Sequence, residues 1–359
     1  MPFVQWQDQT YRAGRPLDLL LPVVPKVGHL TSLNLGIDRM RKLGLVVLAL
    51  ASTLSGVGAA EYPDRPIRFI VPQAAGSATD TVARILAAEL SKELGQQLIV
   101  DNRPGGALTI GLDAVAKSPP DGYTIGMGPI GALAITRHMV AKLPYNIERD
   151  FQPIALVARG HLLLAVSPKL PIASVKELID YAKKNPGKLT NASSSNGSPG
   201  HVGGELFKYM TGTEIVHVPY RGGAPAITDL IAGHVDLMFE SLQTMAPLVH
   251  DGKVRALGVS GAARSAAFPN LPTIAEAGVP GYLAPTWTGV IAPAGVPRPI
   301  VDRLNAAINK ALVSEAFKEK FAKIGDEPAG GAPKDFVATI KADSEKWGEV
   351  VQRSGAKLD

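Results

Sequence analysis

The chain has 359 residues, with 37 Lys+Arg against 32 Asp+Glu and a formal net charge of +5; it is longer than one average domain, so two are expected. Hydrophobic residues make up 46% and charged residues 19%, a balance that excludes a disordered chain. There is no cysteine, which excludes disulfides, thiolate metal sites, a cysteine nucleophile and a lipid-modified N-terminal cysteine.

Residues 1–38 show no usable periodicity. Arg39-Met40-Arg41-Lys42 is followed by the apolar run Leu43 to Leu54 and then by Ser55-Gly56-Val57-Gly58-Ala59-Ala60. These are the basic, apolar and small-residue parts of a secretory signal. The apolar run is shorter than the ~20 residues that span a bilayer. A cleaved signal over residues 40–60 is therefore expected, with translation starting at Met40 and residues 1–39 lying upstream of the native start. Without residues 1–60 the chain carries 31 Lys+Arg and 29 Asp+Glu, a formal charge of +2. No basic patch argues for nucleic acid. An exported chain without a lipid anchor is expected to be soluble in a periplasm.

From Glu61 onward, strand-like and helix-like stretches alternate, the pattern of an α/β class with a mostly parallel sheet. Phe69-Ile70-Val71, stopped by Pro72, reads as a strand. Val82, Ile85, Leu86, Leu90 and Leu94 recur at helical spacing. Between them Ser77 and Asp80 fit a capping box, so the helix is expected to begin near Ala78. Its unpaired amides and dipole would face the mouth of the sheet, where Ala75, Gly76 and Ala78 leave room for an anion. An ordinary βα turn accounts for the same residues. The turn has neither G-x-G-x-x-G nor G-x-x-x-x-G-K-[ST], so nucleotide readings are set aside.

Gln97 to Val100 (strand), Leu108 to Ala116 (helix) and Tyr123 to Met127 (strand) follow, then the small-residue turn 128–132. Ile154 to Val166 is apolar for longer than one average strand, with Arg159-Gly160-His161 in its middle, and reads as a crossing between domains. Beyond it come Val175 to Lys184 (helix), Leu189 to Ala192 (strand) and the loop 193–198, where Ser198 suits an N-cap and Pro199 the first helical position. Ile215 to Val218, Val235 to Phe239 and Val254 to Val259 read as strands, and Pro225 to Ile231 as a helix. Trp287 to Ala292 reads as the return crossing. Val301, Leu304, Ile308 and Leu312 share one helix face; Phe336, Ile340, Trp347 and Val351 share another. Two crossings imply two lobes, a hinge and a cleft, dividing the chain into 61–160 with 287–359 and 161–286.

Four strand-end loops, 73–80, 128–132, 193–198 and 221–224, are built from Gly, Ala, Ser, Thr and Asn. Facing each other across a cleft, they would form an anion site of backbone amides and hydroxyls; α/β turns being generally rich in Gly and Ser explains each loop singly. Catalytic patterns are weaker. Gly258-Val259-Ser260-Gly261-Ala262 lacks the final Gly of a nucleophile elbow, and the seven His have no metal-binding spacing. His201 could touch a ligand or serve structure. Asp80 could orient a ligand donor or cap its helix. Arg221 could meet a carboxylate or face solvent.

The chain from residue 62 resembles the Bug-type, or tripartite tricarboxylate transporter, family of periplasmic solute-binding proteins, through YPDRPIRFIVP, ATDTVAR, VDNRPGGALTIGLDAVAKSPPDGYT, HVPYRGGAPAITDLIAGHVDLMF, GKVRALGVS, LPTIAEAGVPGY and GVIAPAGVPRPIVDRLN. The resemblance implies a two-lobed, periplasmic-binding-protein-like (type II) α/β fold that closes over a small carboxylate-bearing solute, and delivery to a membrane permease without catalysis. It also implies that the loop 73–80 holds a ligand carboxylate through backbone groups and bridging waters, a role carried to Gly76, Ser77, Ala78, Thr79 and Asp80. Gln73, Gly128, Pro129, Gly131, Ser194, Ser195, Asn196, Ser198, His201, Arg221 and Glu240 complete the expected binding set. The sequence departs from the family at Gln73-Ala74-Ala75, where an aromatic followed by prolines is usual, and at Glu240, where Asp is common. No catalytic residue, cofactor, metal or nucleic acid is expected, and the protein is expected to be a monomer. The alternatives are a ligand-sensing subunit of a receptor, and a cleft hydrolase using Ser198 or His201.

Overall fold

The structure, a computed structural model, describes residues 62–354. The expected upstream start, the signal segment 40–60, Glu61 and residues 355–359 lie outside the described residues. The chain opens with β1 (Ile67–Val71), α1 (Ala78–Leu94), β2 (Leu98–Asn102), a 3₁₀ turn (Gly106–Leu108), α2 (Thr109–Ala116) and β3 (Thr124–Pro129). A π-helical turn (Gly131–Ile135), a 3₁₀ turn (Thr136–His138) and the short α3 (Ile147–Asp150) lead to β4 (Phe151–Gly160).

The second set is β5 (Leu162–Val166), α4 (Val175–Lys184), β6 (Thr190–Ser193), α5 (Pro199–Thr211), β7 (Val216–Pro219), α6 (Gly223–Ala232), β8 (Leu237–Ser241), α7 (Leu242–His250) and β9 (Arg255–Val259). The chain ends with β10 (Thr286–Pro293), α8 (Arg298–Leu312), α9 (Glu315–Ile324), β11 (Glu327–Pro328) and α10 (Pro333–Ser354).

Two mixed sheets take the place of the mostly parallel one expected. The first has the order β11-β4-β10-β3-β1-β2 and the second β7-β6-β8-β5-β9. β1 runs parallel to β2 and β3, and β6 parallel to β7 and β8. β10 runs antiparallel to β3 and β4, and β5 to β8 and β9. The antiparallel pairs all involve β4, β5 or β10, the strands that enter one sheet from the other side of the molecule or pair with one that does.

The long apolar stretch 154–166 is one extended segment serving both sheets: β4 belongs to the first and β5 to the second, with His161 between them. The chain returns between Val259 and Thr286, and Thr286 lies in register with Gly160. The two crossings therefore run side by side.

Helix boundaries follow from their caps. Ser77, Ser174 and Ser198 each accept an amide proton at the start of α1, α4 and α5, and Gly95 and Gly212 end α1 and α5 in the left-handed conformation. β8 starts two residues later than the expected strand because Asp236 is engaged with Thr190, so that pairing begins at Leu237. Its later end carries Glu240 and Ser241.

The apolar faces of α1, α8 and α9 cover one side of the first sheet, joining Phe69, Leu86, Leu304, Ile308, Phe317 and Phe321 in one core. The face of α10 made by Phe336, Ile340, Trp347 and Val351 enters a second core that continues through Leu133 and Leu156 into Leu164, Val202, Phe207 and Phe239. α10 packs against β4, the π-helical turn and α5, so it belongs to both halves. Burial of this face makes the two halves one cooperative body. Trp347 is buried, and Trp347→Ala should cost about 3–5 kcal/mol in denaturant unfolding while leaving a single transition.

Candidate functional site

A cavity of about 900 Å³, including its open mouth, lies between the two sheets. The first half of the molecule lines it with residues around 73–82, 107–108, 129–136, 158–160, 286–288 and Asp326, and the second with Leu162, 194–200, Glu240 and Ser241. Two helices begin at this cavity, α1 through Ala78 and Thr79 and α5 through Pro199 and Gly200. First-turn amides have no carbonyl within their own helix to bond, so α1 offers the Ala78 and Thr79 amides and α5 the Gly200 amide, Pro199 having none, with two positive dipole ends at the same space.

The first loop is shaped by Asp80, which is buried at 2% exposure. The Asp80 amide donates to Ser77 Oγ (3.2 Å), the forward half of a capping box. The return half differs from the usual one: Asp80 Oδ2 accepts from the Gly76 amide (2.8 Å) instead of from the cap residue. Oδ2 also accepts from Arg84 Nε (2.9 Å), and Oδ1 from Asn102 Nδ2 (2.9 Å), which reaches on to the Gln73 carbonyl (2.9 Å). Burial alone would raise the Asp80 pKa, but these donors outweigh it and hold the carboxyl below its ordinary value. Gly76 has φ +80°, which a residue with a side chain adopts only under strain. Both Asp80 oxygens are engaged by protein, so the residue shapes the loop from behind.

The second loop has a different organiser. The Gly197 amide donates to His201 Nδ1 (3.0 Å), which fixes His201 as the neutral tautomer protonated on Nε2. Its ring stacks on His217 with centroids 3.8 Å apart. Ser193 Oγ donates to the Ser195 carbonyl (2.9 Å), so the 2.7 Å contact to His217 Nε2 is a bond that His217 donates. Burial, then the neighbouring His217 and Lys208, push the His201 pKa down to about 3; burial and Lys208 push His217 down to about 4. Both rings are neutral at pH 7. Gly200 sits where a Cβ would stand 2.0 Å from the Phe239 carbonyl oxygen, so α5 packs directly on the backbone of β8.

Other walls gave weaker sequence signals. Gly105, Gly106, Ala107 and Leu108 all have positive φ; for Ala107 and Leu108 this stores of order 1–3 kcal/mol each. Both line the cavity, and Thr136 Oγ1 donates to the Ala107 carbonyl (3.3 Å). The turn expected over 128–132 is instead the end of β3 followed by the π-helical turn, all of it buried.

Of the expected site residues, Gln73, Ala78, Thr79, Pro129, Gly131, Ser194, Ser195, Asn196, Ser198 and Glu240 line the cavity. Outside the lining, Asp80 and His201 are buried behind their loops, Ser77 is half-buried and Gly76 exposed, and Gly128 is buried within β3. Arg221 is exposed and outside the lining. Ala107, Leu108, Thr136, Trp287, Thr288 and Asp326 join the wall without having been singled out. For Asp326 the only clue was its position after the Gly325 cap of α9. Ser198 Oγ accepts from the His201 amide (3.2 Å) and no ring nitrogen bonds it, so the nucleophile and base that a hydrolase needs are not paired there. Among the described residues no group of acidic or His side chains could hold a metal, and no helix is long and apolar enough to cross a membrane.

The family model described as "Tripartite tricarboxylate transporter family receptor" matches residues 82–356. The chain is 38% identical to protein BugT of Bordetella pertussis over 314 residues, covering 87% of this chain and 96% of BugT. Among solved structures it is similar to Rpa4515 of R. palustris, determined with adipate (41% identity, TM-score 0.79, covering 83% of this chain and 100% of that one). It is also similar to MatC from Rhodopseudomonas palustris with bound malate (32% identity, TM-score 0.75, covering 81% and 100%). The fold is the two-domain α/β fold of these proteins.

Asp80→Ala leaves the Gly76 amide without its acceptor and Asn102 Nδ2 with the Gln73 carbonyl alone. It should lower stability by about 2–3 kcal/mol and speed hydrogen exchange at the amides of residues 76–79. The His201 pKa is depressed on folding, so its contribution is present above pH 6.5 and is lost as pH falls toward about 3. Melting temperature should therefore drop through this window, and His201→Phe should remove the part of the drop owed to this ring.

Proposed function

The chain belongs to the tripartite tricarboxylate transporter family of receptors, and from that premise we propose that it is an extracytoplasmic receptor that captures a small carboxylate-bearing organic anion and hands it to the membrane permease of a tripartite transporter. Its relatives are solute-binding proteins, periplasmic where their names say so. The observation that carries the reading is the convergence of the α1 and α5 first turns on one enclosed cavity. Amides and a dipole end suit a carboxylate, which brings its own charge and needs several donors at once. The adipate and malate held by the two R. palustris relatives make four- to six-carbon carboxylates the first candidates.

The rest of the mechanism follows from the crossings. A ligand that touches loops 73–80 and 129–136 on one side and 194–200 on the other favours the closed arrangement of the two lobes over the open one. The lobe limits that fit this reading are 61–160 with 287–359, and 161–286, joined at Gly160–His161 and before Thr286. Export through cleavage after Ala60, a monomeric state and action without catalysis complete the proposal.

Three measurements test it. In thermal melting against a panel of small carboxylates, a ligand at 100 times its dissociation constant should add about 2.7 kcal/mol; a panel without any shift, on protein freed of carried ligand, would sink the reading. Gly131 is the position at which to narrow the cavity, because a Cβ there stands 3.1 Å from Leu108 Cδ1 and 3.8 Å from Pro199 Cδ. Gly131→Val should weaken the best ligand by about tenfold or more, about 1.4 kcal/mol, in a protein whose circular dichroism is unchanged. N-terminal sequencing of the exported protein should begin at Glu61.

A further inference from the structure

The charge on the cavity wall has one sign. Its ionisable lining residues are Glu240 and Asp326, and no Lys, Arg or His is among the described lining. Asp326 follows the Gly325 cap of α9, at the negative end of that helix. It stands beside the two crossings, with Oδ1 2.4 Å from where a Gly160 Cβ would be. No protein donor among the described residues hydrogen-bonds its carboxyl. Burial, then the neighbouring Glu327, raise the Asp326 pKa to about 7, and burial raises that of Glu240 as well. Glu240 Oε1 accepts from the Ser241 amide (2.8 Å).

Two further polar atoms on the same wall lack partners. Thr288 is 6% exposed and its Oγ1 has no hydrogen bond, and neither does the buried Gln73 Oε1. Buried polar atoms in native proteins are nearly always satisfied. Here they are a carboxamide oxygen and a hydroxyl, both able to accept a hydrogen bond, on residues that line the cavity.

We propose that the ligand is an aminocarboxylate, with its carboxylate at the amides of α1 and α5 and its ammonium group against Asp326, supported by the acceptors of Gln73 and Glu240. The inference rests on the carboxylate-receptor reading and narrows it. A second carboxylate at Asp326 would meet a like charge whenever Asp326 is ionised, and only the single carboxyl proton otherwise. An ammonium group brings three donors and the opposite charge.

The test is calorimetric titration of the ligand-free protein at neutral pH with matched four- to six-carbon chains: monocarboxylate, dicarboxylate, and α- and ω-aminocarboxylate. At least one aminocarboxylate should bind about tenfold or more tighter than the mono- and dicarboxylates of its length, the scale of one charge-assisted hydrogen bond. Asp326→Asn should erase most of that preference. If dicarboxylates bind as tightly as or tighter than aminocarboxylates at every length, or if Asp326→Asn leaves the preference intact, the proposal is overturned. Should Asp326→Asn not fold, the ranking by the unaltered protein decides. Absence of binding by every compound would overturn the carboxylate-receptor reading itself, and this inference with it.

Discussion

The buried carboxylate of Asp80 is the constraint on which the site depends. A charge taken out of water must be met by donors, and Asp80 finds them in the Gly76 amide, Asn102 and Arg84. Those donors come from the loop, from the end of β2 and from the next turn of α1, so satisfying one charge ties three parts of the chain together. The first-turn amides left over are those of Ala78 and Thr79, which line the cavity. The carboxylate therefore serves binding by being occupied elsewhere.

The second half of the molecule reaches a similar loop geometry without a charge. Neutral His201 and His217 hold loop 193–198 through the Gly197 amide and Ser193. Their stacking at 3.8 Å and their low pKa values reinforce each other, since two imidazolium rings could not share that space. The two loops thus present amides and hydroxyls backed by rigid groups that do not themselves line the cavity. Such a site costs little reorganisation when an anion arrives, because its dipoles are already fixed.

Much of this was legible in the sequence, for identifiable reasons. Capping residues and strand-ending prolines act over three or four positions, so the starts of α1 and α5 could be read from Ser77 and Ser198. The crossing at 154–166 was legible because one apolar run was too long for a single strand. What could not be read depends on distant partners. Asp80 and His201 belong to the binding loops in sequence, yet whether their side chains face the ligand or the loop is decided by Asn102 and His217, more than a dozen residues away in each case. Asp326 was invisible because a short strand and a helix end bring it to the crossings from the far part of the chain. Leu108 was missed because nothing local to a leucine announces positive φ. Arg221 attracted attention as the one cation in its loop, and the fold turns it outward.

The position of α10 bears on how the molecule is made. Phe336, Ile340, Trp347 and Val351 close a core that runs through both halves, and the sheet of the first half draws on segments separated in sequence. Neither half is finished until the final helix has been synthesised. That helix acts as a latch in time as well as in space: the shared core stays open until residues 333–354 are in place.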